Sequence, residues 1–186
     1  GHYGPTYGDP LQPVTPGSAS WASGNGCVGG GVIRLIVPGS LVLDGTISAN
    51  GLINADSGVT CGASGGSIWI TAGSLSGSGS ISANAVSGNA TYGSGCTGAG
   101  GGRVAVYYHD LSGLRNVTGA IVAKGAAGTK TSAAGQDGTV ALVDQSLAGN
   151  GGLRVLQRVD LPANKTFSYQ QITVGDGSRL GLGGGS

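Results

Sequence analysis

Three cysteines, Cys27, Cys61 and Cys96, have the spacing that most directly suggests chemistry. Intervals of 34 and 35 residues separate them, and each lies in a glycine-rich run: GNGCVGGG, TCGASGG and GCTGAGGG. Thiols at equivalent loop positions of neighbouring repeats can approach disulfide range, though the loops differ slightly in length. One bridge is expected, either Cys27–Cys61 or Cys61–Cys96; the spacing does not choose, and the remaining thiol is free or pairs elsewhere. A bridge would place the chain in an oxidising compartment. No CxxC pair or neighbouring histidine accompanies these thiols, so a metal is not expected, and nothing calls for another cofactor. Asn89, Asn116 and Asn164 each open an Asn-x-Thr triplet, a glycosylation acceptor in a eukaryotic secreted protein.

Catalytic chemistry finds no support. The two histidines are His2 and His109, and the pair His109-Asp110 has no nucleophile motif such as GxSxG beside it. Asp44, Asp56, Asp110, Asp137, Asp144 and Asp176 fall at turn-like positions of different phase, where carboxylates usually cap a bend. The glycines precede strands and open no helix, so a phosphate-binding loop is excluded. GQDGTVAL at Gly135–Leu142 matches a calcium-binding nonapeptide only loosely. The chain is therefore read as a non-enzyme with no catalytic residues.

The elements that would position these residues follow from one recurring pattern: GGGVIRLIV at Gly29–Val37, GGSIWITA at Gly65–Ala72, GGRVAVYY at Gly101–Tyr108 and DGTVALVD at Asp137–Asp144. Gly31, Gly66, Gly102 and Gly138 mark it at steps of 35, 36 and 36 residues. A fixed period of this size signals stacked supersecondary units. Ile33, Ile68, Val104 and Val140 form one column, and Leu35, Ile70, Val106 and Leu142 the next of the same parity; both should point into a core. A second strand recurs as TISAN, SISAN and AIVAK, aligning Ile47, Ile81 and Ile121, then Ala49, Ala83 and Ala123. Asn50 and Asn84 end it and should stack as a turn ladder, which Lys124 breaks. The expected fold is all-β, a right-handed parallel β-helix, or β-solenoid, of about 35-residue coils. Residues 1–26 are expected to form a glycine- and proline-rich first coil or cap, 27–144 the regular coils, and 145–186 shorter continuing coils with an open end.

The outward column Ile36, Thr71, Tyr107 and Val143, flanked by Trp69, is a candidate contact stripe. It would be covered by loops or the N-terminal segment, meet another chain, or stack sugars. The 186 residues include 41 glycines and no Met, carry only 9% charged residues, and have a formal net charge of +1. No basic patch suits nucleic acid. No apolar run is long enough to span a membrane. The opening GHYGPTYGDP has the look of the interior of a larger precursor, so a missing leader says nothing about secretion.

The succession GGGVIRLIV…LVLDGTISANG…GGSIWITAGSLSGSGSISAN…GGGRVAVYY resembles the glycine-rich, pectin-lyase-like parallel β-helix repeats of large secreted or cell-surface proteins, from Tyr7 to Asp144. The AVSGNATYG loop and Lys124 depart from that pattern. The resemblance implies an extracellular, modular, structural or adhesive role and transfers no catalytic residue. The leading expectation is a structural or adhesive module at the cell surface or outside the cell, self-associating or packing on neighbouring repeats, even as a filament. A carbohydrate-binding or polysaccharide-cleaving protein, with surface glycans as partners, is the alternative. An ice-binding role ranks last, because Thr46 and Thr71 make no regular row.

Overall fold

A computed structural model describes residues 8–19, 27–53, 61–88, 96–163 and 165–182. Its elements are β1 (Val32–Val42), β2 (Thr46–Ser48), β3 (Ser67–Ser76), β4 (Ser80–Ser82), β5 (Arg103–Asp110), the helical turn α1 (Val117–Ala120), β6 (Ile121–Val122), β7 (Thr139–Asp144), β8 (Gly152–Val155), β9 (Arg158–Leu161), β10 (Gln171–Val174) and β11 (Arg179–Leu182). β1, β3, β5 and β7 pair in parallel, with Ile33 opposite Ile68, Ile68 opposite Val104, and Val104 opposite Val140. β2, β4 and β6 form a three-stranded parallel sheet with Ile47, Ile81 and Ile121 in register. The two sheets share one core, in which Ile68, Ile70, Val104, Val106, Ile81 and Ile121 are fully buried. Each such side chain contributes about 1.5–3 kcal/mol on leaving water.

Glycine recurs before each strand because successive backbones nearly touch there. A Cβ on Gly66 would lie 2.0 Å from the Gly31 carbonyl oxygen; on Gly102, 2.1 Å from that of Gly66; on Gly138, 1.9 Å from that of Gly102. Those same carbonyls accept hydrogen bonds from Ser67, Arg103 and Thr139 N–H groups at 3.0, 2.9 and 2.9 Å. No side chain fits between donor and acceptor layers at that spacing.

The parallel β-helix expectation is overturned, because the main sheet is mixed. The main sheet has six strands in the order β1-β3-β5-β7-β8-β10, and β7 pairs with β8 antiparallel: Val143 opposite Leu153, Ala141 opposite Val155. β10 continues β8 in parallel, so the sheet is mixed. The cause is connection length. A parallel return needs a crossover of about a dozen residues or more, and the Gln145–Gly151 link is too short. It turns instead. Asp144 Oδ1 accepts from Ser146 N and Oγ at 2.8 and 2.6 Å, and Gly149 and Gly151 take φ values of 68° and 77°. β8 therefore enters the sheet by an antiparallel return and does not continue the parallel pairing of β1, β3, β5 and β7. β9 and β11 pair separately.

This return gives the sheet a second core on its other face. Ala141, Val143, Leu153, Val155, Val159 and Leu161 bury together under Leu11, so β7 is covered on both faces. The segment holding Leu11 straps the sheet. Arg103, itself buried, donates from Nη2 to Thr15 O and Oγ1 at 3.1 and 2.7 Å, Ser67 Oγ donates to Thr15 O at 2.6 Å, and Gly17 N donates to Gly30 O at 2.8 Å.

Among the described residues nothing lies within 4 Å of a would-be Cβ on Gly31. Gly102→Ala should therefore cost about 1–3 kcal/mol or more, whereas Gly31→Ala should change stability by less than about 0.5 kcal/mol. Urea unfolding of the two variants, compared with the parent chain, checks the contrast.

Candidate functional site

The three cysteines are divided unequally. Cys61 and Cys96 form a disulfide with their Cα atoms 5.3 Å apart. Cys27 is a buried free thiol that donates to the Cys61 carbonyl oxygen at 2.7 Å. Of the sequon asparagines, Asn116 is exposed at the start of α1 with φ 49°, while Asn89 and Asn164 lie outside the described residues. The left-handed backbone suits asparagine, whose short polar side chain tolerates it.

Asn50 and Asn84 occupy equivalent turns, but their amides do not bond to each other's side chains. Asn50 Oδ1 accepts from Asn84 N, and Asn84 Oδ1 accepts from Lys124 N, both at 2.7 Å. Each carboxamide thus pairs the backbone of the next layer. Lys124 donates its N–H to Asn84, but its ammonium has no acceptor to offer a further layer and pairs with Asp137 at 3.1 Å instead.

Gln157 is a residue that sequence reading passed over. Ala49 N donates to Ser82 O and Ala83 N to Val122 O, at 2.8 and 3.0 Å. At the next position Ala123 N donates to Gln157 Oε1 at 2.8 Å. The side-chain amide stands in for the carbonyl of a strand that the β2-β4-β6 sheet lacks. The available signal was a glutamine directly after the apolar pair Val155-Leu156.

The proposed contact stripe is continuous in register: Ile36 faces Thr71, Thr71 faces Tyr107, and Tyr107 faces Val143. Its two ends differ. Ile36 is 63% exposed, whereas Val143 is 4% exposed beneath the second core. Trp69 lies beside the stripe, with the Arg34 guanidinium 4.4 Å over its ring and the Tyr107 ring centroid 6.2 Å away. Cation–aromatic contacts of this kind hold the flanking face together.

Beyond Tyr107 the surface opens into a groove of about 620 Å³. Tyr107, Phe167 and Tyr169 supply aromatic rings, and Asp9, Gln12, His109, Gln145, Asn150 and Lys165 supply polar groups. Asp9 Oδ1 accepts from Leu11 N at 2.8 Å and Gln12 N at 3.2 Å, shaping the strap. Tyr107 donates its hydroxyl to Leu11 O at 3.0 Å. Burial, reinforced by Tyr169 and Asp9, pushes that hydroxyl up to about 12. Burial and then Asp9 also raise Tyr169. His109 reaches this groove, but Asp110 does not orient it: the Asp110 carboxylate accepts from Ser112 N at 2.8 Å, which holds it below the usual carboxylate range.

No family model, curated protein or solved structure matches this chain. Among the described residues no cluster of His, Cys and acidic side chains could hold a metal ion, and no helix is long and apolar enough to cross a membrane.

Two outcomes follow from this geometry. Gln157→Leu leaves the Ala123 N–H buried without an acceptor and should destabilise the chain by about 1–3 kcal/mol in denaturant unfolding. An unfolded tyrosine ionises near 10. Folded Tyr107 holds its proton to about 12, so the stability tied to it is complete below pH about 10 and is lost as pH rises toward about 12. Tyr107→Phe should flatten that part of the loss in thermal unfolding and remove a late step from the tyrosinate absorbance titration.

Proposed function

We propose that this chain is a structural and adhesive module at the cell surface or outside the cell, and that its β1–β2 edge takes a further layer of the same repeat. The observation that carries this reading is a contrast between equivalent glycines. Gly66, Gly73 and Gly79 press against the backbone of the layer before them, with would-be Cβ distances of 2.0, 2.4 and 2.2 Å to Gly31, Pro38 and Gly45 oxygens. Gly31, Gly39 and Gly45 hold the same positions in the first layer, and among the described residues nothing lies within 4 Å of a Cβ on any of them. Glycine is thus kept where an added layer would require it.

The edge itself supports the reading. β1 and β2 each end their sheets. Val32, Ile36 and Val42 are exposed along an eleven-residue edge strand, and such a strand is a template for pairing. The opposite edge of the β2-β4-β6 sheet is closed by Gln157. The Cys61–Cys96 disulfide fits an oxidising compartment. The likeness of the repeat to glycine-rich segments of large secreted and surface proteins points the same way, and the reading assigns no catalysis and no cofactor.

A chain with residues 66–101 duplicated directly ahead of Gly31 tests this. The added layer should raise both the unfolding free energy and the denaturant slope, because more surface is buried, and Gly31→Ala in that longer chain should cancel the gain. A duplicated layer that protects no additional amides from hydrogen exchange, or a gain that survives Gly31→Ala, would sink the reading.

A further inference from the structure

We infer that the groove beside Tyr107 binds a neutral oligosaccharide. The groove is assembled from the parts of the chain that leave the repeat. The strap brings Asp9 and Gln12, the β7–β8 turn brings Gln145 and Asn150, and the segment before β10 brings Phe167 and Tyr169. Edge pairing through β1 needs none of these, so this site stands independently of it.

The chemistry of the lining selects the ligand class. A sugar ring has apolar C–H faces and a rim of hydroxyls. Half-buried aromatic rings, which also pack onto the second core, offer flat apolar surface for the faces. Amide side chains at an exposed rim donate to and accept from hydroxyls without regard to charge. A cavity of about 620 Å³ falls in the range of small-ligand sites, and its largely polar lining suits a ligand rich in hydroxyls.

Charge excludes the nearest rivals. The groove carries one carboxylate, Asp9, and one ammonium, Lys165. Asp9 is partly occupied, since its Oδ1 already accepts from Leu11 N and Gln12 N. No concentration of cations would attract a phosphate or polyuronate chain. The Tyr107 hydroxyl is engaged with Leu11 O. Tyr107 therefore acts as a wall held in place, not as a reacting group, and the site binds without cleaving.

The test uses the intact chain in calorimetric titrations with cellohexaose, maltohexaose, mannohexaose and N-acetylchitohexaose, against oligogalacturonate and a proline decapeptide. At least one of the four neutral oligosaccharides should bind with a dissociation constant of about 1 mM or tighter. Asn150→Ala and Gln145→Ala change exposed side chains and should each weaken that binding about fivefold or more. Tyr169→Ala should remove it; because Tyr169 also packs on the second core, the two exposed variants keep the result readable if that protein does not fold. The inference is overturned if none of the four binds at about 10 mM, if Asn150→Ala and Gln145→Ala bind as the parent does, or if oligogalacturonate or the proline peptide binds more tightly than every neutral sugar.

Discussion

Successive layers of this protein meet backbone to backbone at Gly31, Gly66, Gly102 and Gly138. A carbonyl of one layer occupies the space a Cβ of the next would need, while the following residue's N–H donates to that carbonyl. This contact sets the axial spacing, and other contacts between layers depend on it. It aligns Ile68 with Val104 and Val140. It brings Cys61 within bonding distance of Cys96, and it lets Asn50 and Asn84 reach the backbone of the next layer. A side chain at any of the three later glycines would push apart the two layers that meet there.

Where the chain abandons this spacing, its energetics change character. The short link after Asp144 reverses direction, and the sheet acquires a second apolar face under Leu153, Val155 and Leu11. Burial on both sides explains why β7 is apolar without alternation. It also anchors the strap, whose Thr15 is held by the buried Arg103. The hydrogen bonds to this guanidinium are formed from the strap's own backbone and hydroxyl, so strap and sheet order together.

The edges of the two sheets are treated differently, and the proposed roles follow that asymmetry. Gln157 supplies a carbonyl to Ala123 N where a strand is missing. No such substitute is seen at β1 among the described residues, where Val32, Ile36 and Val42 meet solvent. A closed edge ends growth, and an open one invites it. The aromatic groove lies at the junction between the repeat and its antiparallel return, where side chains from separate segments converge.

Much of the first part of the fold was legible in the residues. Glycine period and strand parity place Ile33, Leu35, Ile68 and Ile70 in shared columns, because a similar local pattern repeated at a nearly constant interval permits only a narrow set of registers. The direction of β8 was less visible: apolar alternation is the same for parallel and antiparallel strands, and only the short Gln145–Gly151 link distinguishes them. The cysteine intervals allowed either pairing, and the loop positions in space selected Cys61 with Cys96. The groove was illegible, since Asp9, Tyr107, Asn150 and Tyr169 lie far apart along the chain and share no motif. By itself the sequence determined the layer spacing and the inward columns, for these depend on local pattern. Tertiary structure alone decided the second core and the groove, for these depend on which distant surfaces bury each other.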